Sequence, residues 1–254
     1  MLRIKIALLG LILNVSAISI CNAQNDSARQ GITPYITVAA GISTSPEFIF
    51  EPSANISWND YVIPGYSFSA SSGVPVWRRG KLALGVTAMF GYYSNGFNFT
   101  KYLSYLASTD NNQASFKKSQ AGAFTQYSYL AGFYGAYAVG KTVIELKVTG
   151  GIGAIVLPNS SYYVIYSPPV NYSILSTQTY SSQIGYSFDG GIQINYPLGK
   201  NMSATFDGDF LYYSCKYTNI VYEGNNPTGK SNPPGTAMMQ MMNGLLGLTY
   251  TFGK

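Results

Sequence analysis

The 254-residue chain is 46% hydrophobic and 15% aromatic, yet only 10% of its residues are charged and none is histidine. A typical soluble domain carries about 25% charge, so this chain is too poor in ions for an ordinary water-facing surface. Lack of an imidazole excludes a Ser-His-Asp site and most zinc or haem sites. The formal charge of +5 becomes +3 once Arg3 and Lys5 are assigned to a leader, too weak and scattered for nucleic-acid binding.

Residues 1–23 read as a secretory signal peptide. Arg3 and Lys5 precede an apolar stretch from Ile6 to Leu13, and Cys21-Asn22-Ala23 offers small side chains for cleavage after Ala23. The apolar core is too short for a good spanning helix. A rival reading makes Cys21 an acylated N-terminus, but the preceding Ile20 is bulky where that signal wants a small residue. Cleavage after Ala23 leaves Cys215 as the one cysteine, so neither a disulfide nor a zinc framework is expected. Residues 24–31 form a short N-terminal segment, and 32–254 a single domain within the about 230 residues that remain.

Alternation of apolar and small polar residues marks eight strands. The first runs Ile32–Ser43, with Ile36, Val38, Ala40 and Ile42 on one face. The second, Ile63–Val76, sets Tyr66, Phe68 and Ala70 against Ser67, Ser69 and Ser71. In the third, Lys81–Gly96, the stripe is Leu82, Leu84, Val86, Ala88, Phe90 and Tyr92; in the fourth, Gly122–Val139, it includes Tyr127, Tyr129, Phe133 and Tyr137. The fifth, Thr142–Leu157, opposes Ile144, Leu146 and Val148 to Glu145, Lys147 and Thr149. The sixth, Tyr180–Tyr196, opposes Ile184, Phe188 and Ile192 to Gln183, Asp189, Gln193 and Asn195. The seventh, Asn201–Ser214, opposes Met202, Phe206 and Phe210 to Thr205, Asp207 and Asp209. The eighth, Ala237–Phe252, opposes Met242, Leu246, Leu248 and Tyr250 to Asn243, Thr249 and Thr251.

Short connections at Trp77–Gly80, Gly140-Lys141 and Pro197–Lys200 alternate with long ones at Thr44–Val62, Phe97–Ala121, Pro158–Thr179 and Cys215–Thr236. That rhythm predicts an all-β fold: an eight-stranded antiparallel up-and-down transmembrane β-barrel with short periplasmic turns, long extracellular loops and both termini periplasmic. No segment after the leader is long and apolar enough for a membrane helix, so a closed barrel is the one way to span lipid with every backbone group paired. A secreted soluble β-sandwich is the competing architecture. Against it stand apolar faces of ten or more residues, where soluble strands usually run ~5–6.

The chain resembles the small outer-membrane β-barrel family (OmpA/OmpX-like), in the variety common in Bacteroidota. The resemblance rests on the leader ending Asn22-Ala23-Gln24, the eight-segment rhythm, and the terminal Gly244–Lys254 segment. Within that segment Gly247, Tyr250 and Phe252 fit the family's barrel-assembly signal. Leu245 stands where the signal has a polar residue, and Gly253-Lys254 follow the final aromatic. The resemblance implies outer-membrane lipid and the barrel-assembly machinery as partners. It does not fix a function.

The candidate site is a polar lumen cluster of Glu145, Lys147, Asp189, Gln193, Asp207 and Asp209, joined by Asn195. It reads either as a cation-binding or conducting lumen or as a network that fills a narrow barrel. Arg78, Arg79, Lys81, Lys141, Lys200 and Lys254 are expected at the periplasmic rim. Trp77, Tyr92, Tyr137, Tyr196, Tyr212, Tyr250 and Phe252 are expected in interfacial girdles. Tyr162, Tyr163, Tyr166, Tyr172 and Tyr222 in the long loops suit a surface ligand. Gly150-Gly151-Ile152-Gly153 falls within a strand and not in a phosphate-loop context. The expectation is a non-enzymatic barrel without cofactors, structural or interacting through its loops. The alternatives are a porin-like or hydrophobic-solute transporter with an acidic lumen and, as a third class, a histidine-independent hydrolase using Asp207 and Asp209.

Overall fold

A computed structural model describes residues 33–51, 61–109, 114–166, 173–182, 184–223, 230–231 and 235–252. The leader, Cys21, residues 24–32, Tyr172 and Gly253-Lys254 lie outside the described residues. The elements in chain order are β1 (Tyr35–Glu51), β2 (Val62–Arg79), β3 (Leu82–Phe97), α1 (Phe99–Thr109), β4 (Ala114–Ala121), β5 (Phe124–Val139), β6 (Thr142–Val156), β7 (Ser160–Tyr166), β8 (Ser173–Ser182), β9 (Ile184–Pro197), β10 (Met202–Glu223), β11 (Lys230–Ser231) and β12 (Gly235–Thr251).

Eight of the strands form a ring in the order β12-β1-β2-β3-β5-β6-β9-β10, every neighbouring pair antiparallel. β10 pairs with β12 from Met202↔Tyr250 to Tyr217↔Gly235, which closes the ring. Closure leaves the barrel wall no unpaired edge, the condition a sheet must meet to sit in lipid. Two hairpins turn on left-handed glycines, Gly80 at φ 61° and Gly140 at φ 60°, a conformation costly for a side chain bearing Cβ.

Period two decides what faces where. Phe133, Val148, Ile184 and Leu246 point outward, each more than 70% exposed, and Val38, Leu84, Phe206 and Leu248 continue the same outer surface. The alternate positions, including Thr37, Ser69, Ser71, Thr149, Ser187 and Thr205, are buried inside. This apolar-out, polar-in arrangement is that of a transmembrane barrel and the inverse of a soluble one. Among the described residues no helix is long and apolar enough to cross a membrane. Trp77, Tyr137, Tyr196 and Tyr250 stand outward near the turn end, each more than 40% exposed, where an aromatic girdle belongs.

Several boundaries differ from the sequence reading. Trp77 to Arg79 stay in β2, and a bulge between Pro75 and Trp77 keeps Trp77 outward opposite Leu84, so the turn shrinks to Gly80-Lys81. The expected sixth strand is two elements: β8 ends at Ser182 and β9 begins at Ile184, and both run along β10. β10 continues nine residues beyond the expected end at Ser214, to Glu223.

The loop end is more ordered than expected. β8, β7 and β4 add on to the outer part of β10 in that order, so loop residues build a sheet beyond the ring. α1 lies in the connection after β3. Asn98 caps it, its Oδ1 accepting the Lys101 amide at 3.1 Å. Phe99, Tyr102 and Leu103 on one face of α1 are buried, and Leu106 packs beside them. Polar neighbours mask that helical spacing in the sequence.

Candidate functional site

The lumen side chains come from alternate positions of β6, β9, β10 and β12, four consecutive walls of the ring. All six residues expected in the cluster are buried inside, none more than 6% exposed. The register brings them together: Glu145 lies opposite Gln193 across β6 and β9, and Gln193 opposite Asp207 across β9 and β10.

Lys147 is the hub. Its Nζ donates to Asp207 Oδ2 at 2.7 Å and Oδ1 at 2.8 Å, and to Gln193 Oε1 at 3.3 Å. Toward the turn end, Gln193 Nε2 donates to Asn195 Oδ1 at 3.1 Å. Asn195 Nδ2 donates to Glu145 Oε1 at 3.1 Å, and the Tyr35 hydroxyl donates to Glu145 Oε2 at 2.8 Å. The hydroxyls of Thr37, Thr205 and Thr249 complete this layer, with Thr249 at 2.6 Å from each of the other two. Tyr35 fits because Gly73 faces it: a Cβ on Gly73 would lie 2.5 Å from the ring. A small recess lined by Tyr35, Lys141, Glu145, Asn195, Ser203 and Thr251 indents the turn end.

Toward the loop end the network thins. Asp189 Oδ2 accepts the Thr149 hydroxyl at 3.4 Å, and Asp209 Oδ1 accepts a short hydrogen bond from Asn243 Nδ2. Asp189 Oδ1, Asp209 Oδ2, Asn243 Oδ1 and the Tyr93 hydroxyl have no partner. Many of the inward positions beyond are apolar: Leu211 and Tyr213 on β10, Met241 and Met239 on β12, Ile155 on β6, Met89 on β3 and Leu130 on β5, with the small or amide side chains of Ser43, Asn95, Gln126, Ser128 and Ser187 buried among them. Phe124, Tyr61, Tyr162 and the buried face of α1 pack on these to form one continuous apolar cluster. The ring contacts are close: Phe97 meets Phe124 at 5.5 Å and Tyr61 meets Tyr102 at 5.7 Å. Burying aromatic and aliphatic side chains stabilises by about 1.5–3 kcal/mol each, so this cluster is a firm plug.

Other expected residues fall as follows. Arg78, Arg79, Lys81, Lys141 and Lys200 are exposed at the turn end. Gly247 sits inside β12, where a Cβ would lie 2.2 Å from the Val38 carbonyl oxygen. Tyr250 points outward with its ring 5.0 Å from Phe252. Tyr163 is exposed as expected for a loop ligand surface, but Tyr162 is only 7% exposed and turns into the plug. β7 has strand alternation, so its neighbouring tyrosines face opposite ways. Cys215 is buried and not in a disulfide. Among the described residues, no three His, Cys, Asp or Glu side chains gather as a metal site.

The sequence matches no protein-family model and no curated protein. The chain is similar in structure to solved outer-membrane barrels. One is the outer membrane protease OmpT from Escherichia coli, at 11% identity, covering 89% of this chain and all of that one, TM-score 0.43. Another is the outer membrane protein OprG from Pseudomonas aeruginosa, at 8% identity, with 90% and 100% covered and TM-score 0.43. A third is Neisserial surface protein A, at 12% identity, with 88% and 100% covered and TM-score 0.35. Likeness at this level says nothing about activity, and the barrel assignment stands on the closed ring itself.

Proposed function

We propose that this chain is a non-enzymatic outer-membrane barrel, sealed to solutes, that acts through the sheet and loops at its loop end. The observation that carries the reading is the division of the interior. The polar lumen cluster is tied to Lys147 and the turn-end hydroxyls, and a mainly apolar cluster packs the interior beyond it. An ion crossing this region would shed its hydration among mostly apolar side chains, with few polar groups to replace it. Large structured loops beyond a closed barrel are the natural place for contacts with other molecules.

The turn end, with Arg78, Arg79, Lys81, Lys141 and Lys200, then faces the periplasm, and the outer wall contacts lipid. Gly247, Tyr250 and Phe252, on the strand that closes the ring, serve as the signal to the assembly machinery. Orientation is tested by cysteine labelling on intact cells, because the native Cys215 is buried. A membrane-impermeant maleimide should label Ser173→Cys in the loop sheet and spare Lys141→Cys at the turn end. The opposite pattern would reverse the topology. Recovery in the outer-membrane fraction, with a gel mobility that shifts on boiling, tests the location.

A further inference from the structure

The polar half of the lumen holds four buried carboxylates, Glu145, Asp189, Asp207 and Asp209, and one buried ammonium, Lys147, among the described residues. Asp207 takes the ammonium through both of its oxygens. Glu145 is served by the Tyr35 hydroxyl and the Asn195 amide. Asp189 and Asp209 have one hydrogen bond each, and each keeps a buried oxygen with no donor.

The two residues stand at neighbouring inward positions on adjacent strands. Asp209 lies opposite Asn243 across β10 and β12, and Asp189 lies opposite Leu211, the next inward residue after Asp209. Asn243 spends its amide nitrogen on Asp209, which leaves its carbonyl oxygen beside the pair and unpartnered. From β3, on the opposite side of the ring, Tyr93 brings a hydroxyl that is also unpartnered and within electrostatic range of Asp189 and Asp209. Tyr93 reaches this position because residue 91 is glycine: a Cβ there would lie 2.4 Å from the hydroxyl oxygen. Asp189, Asp209, Asn243 and Tyr93 are each at most 6% exposed.

We infer that the oxygens of Asp189, Asp209, Asn243 and Tyr93 bind a monovalent cation of the sodium or potassium kind, together with water. Oxygen donors suit a hard cation. The donor set lacks the third carboxylate, imidazole or thiolate of a divalent-metal group. A buried carboxylate needs a counter-charge, and the plug beyond Leu211 brings none. That plug also denies the ion a way through, so the cation is resident and does not permeate. The site is independent of whatever the loops contact.

Thallous ion, a heavy substitute for potassium, gives the direct test on the intact folded protein. Crystals grown with thallous acetate should show an anomalous peak between Asp189, Asp209 and Asn243, lost in Asp209→Asn. In solution, at fixed pH and ionic strength, the melting temperature should be higher in potassium or sodium chloride than in choline chloride, because a ligand bound only by the folded state stabilises it. Asp189→Asn with Asp209→Asn should abolish that difference and melt in choline chloride no lower than the native chain, which keeps the test readable through folding. No thallium at this position, or equal melting of the native chain in potassium and choline, overturns the proposal and leaves the carboxylates neutralised by protons.

Discussion

Followed inward from the turn end, β10 presents Ser203, Thr205, Asp207 and Asp209, and then Leu211 and Tyr213. One strand therefore lines two different interiors. The polar half is held by directional bonds centred on Lys147, whose loss would leave Asp207 without its ammonium. The apolar half is held by volume and tolerates little loss of packing. The outer wall is hydrophobic beside both halves, so the membrane sees one cylinder while the lumen is divided. A membrane barrel can thus carry a soluble-type core, and here it sits at the end where loops leave the lipid.

The sharpest way to break this contrast is Lys147→Met. It strands Asp207 without its ammonium and should cost about 3–5 kcal/mol of stability in denaturant unfolding. Adding Asp207→Leu should recover most of it, because a buried pair replaced by apolar groups is close to neutral. In the other half, Leu211→Ala should cost about 2–5 kcal/mol through the cavity it leaves, with no rescue from any change of charge. Gly91→Ala sits at the border, where the new methyl meets the Tyr93 hydroxyl. It should cost about 1–3 kcal/mol, and Tyr93→Phe should relieve part of that. The smallest effect belongs to Asn98→Ala, about 1 kcal/mol from the lost cap, read as faster amide exchange confined to α1.

The eight barrel strands were legible because membrane strands alternate over long runs, and because short turns alternate with long loops. The same alternation placed Glu145, Lys147, Asp189, Gln193, Asp207 and Asp209 on inner faces, and the structure brings them together. The partners that complete the site were harder to see. Tyr35 and Tyr93 fall on the inner faces by the same alternation, but that they fit over Gly73 and Gly91 and reach the acidic side chains appears only once the strands are in register. The loop end was least legible. Asn98 followed by Phe99, Tyr102, Leu103 and Leu106 is a capped amphipathic turn pattern, hidden among loop-type residues. The pairing of β4, β7 and β8 is between distant segments, which local alternation cannot reveal. The apolar cluster follows from both, and on the proposed reading it makes the acidic lumen a closed chamber instead of a path.

Single-channel recording of the folded protein in a planar bilayer tests that division most directly, with boiling-dependent gel migration of the same preparation as proof of folding. A sealed lumen gives no unit conductance at any voltage the bilayer withstands. Stable cation-selective steps, altered by Asp207→Asn with Asp209→Asn, would contradict the account and make the acidic chamber a pore.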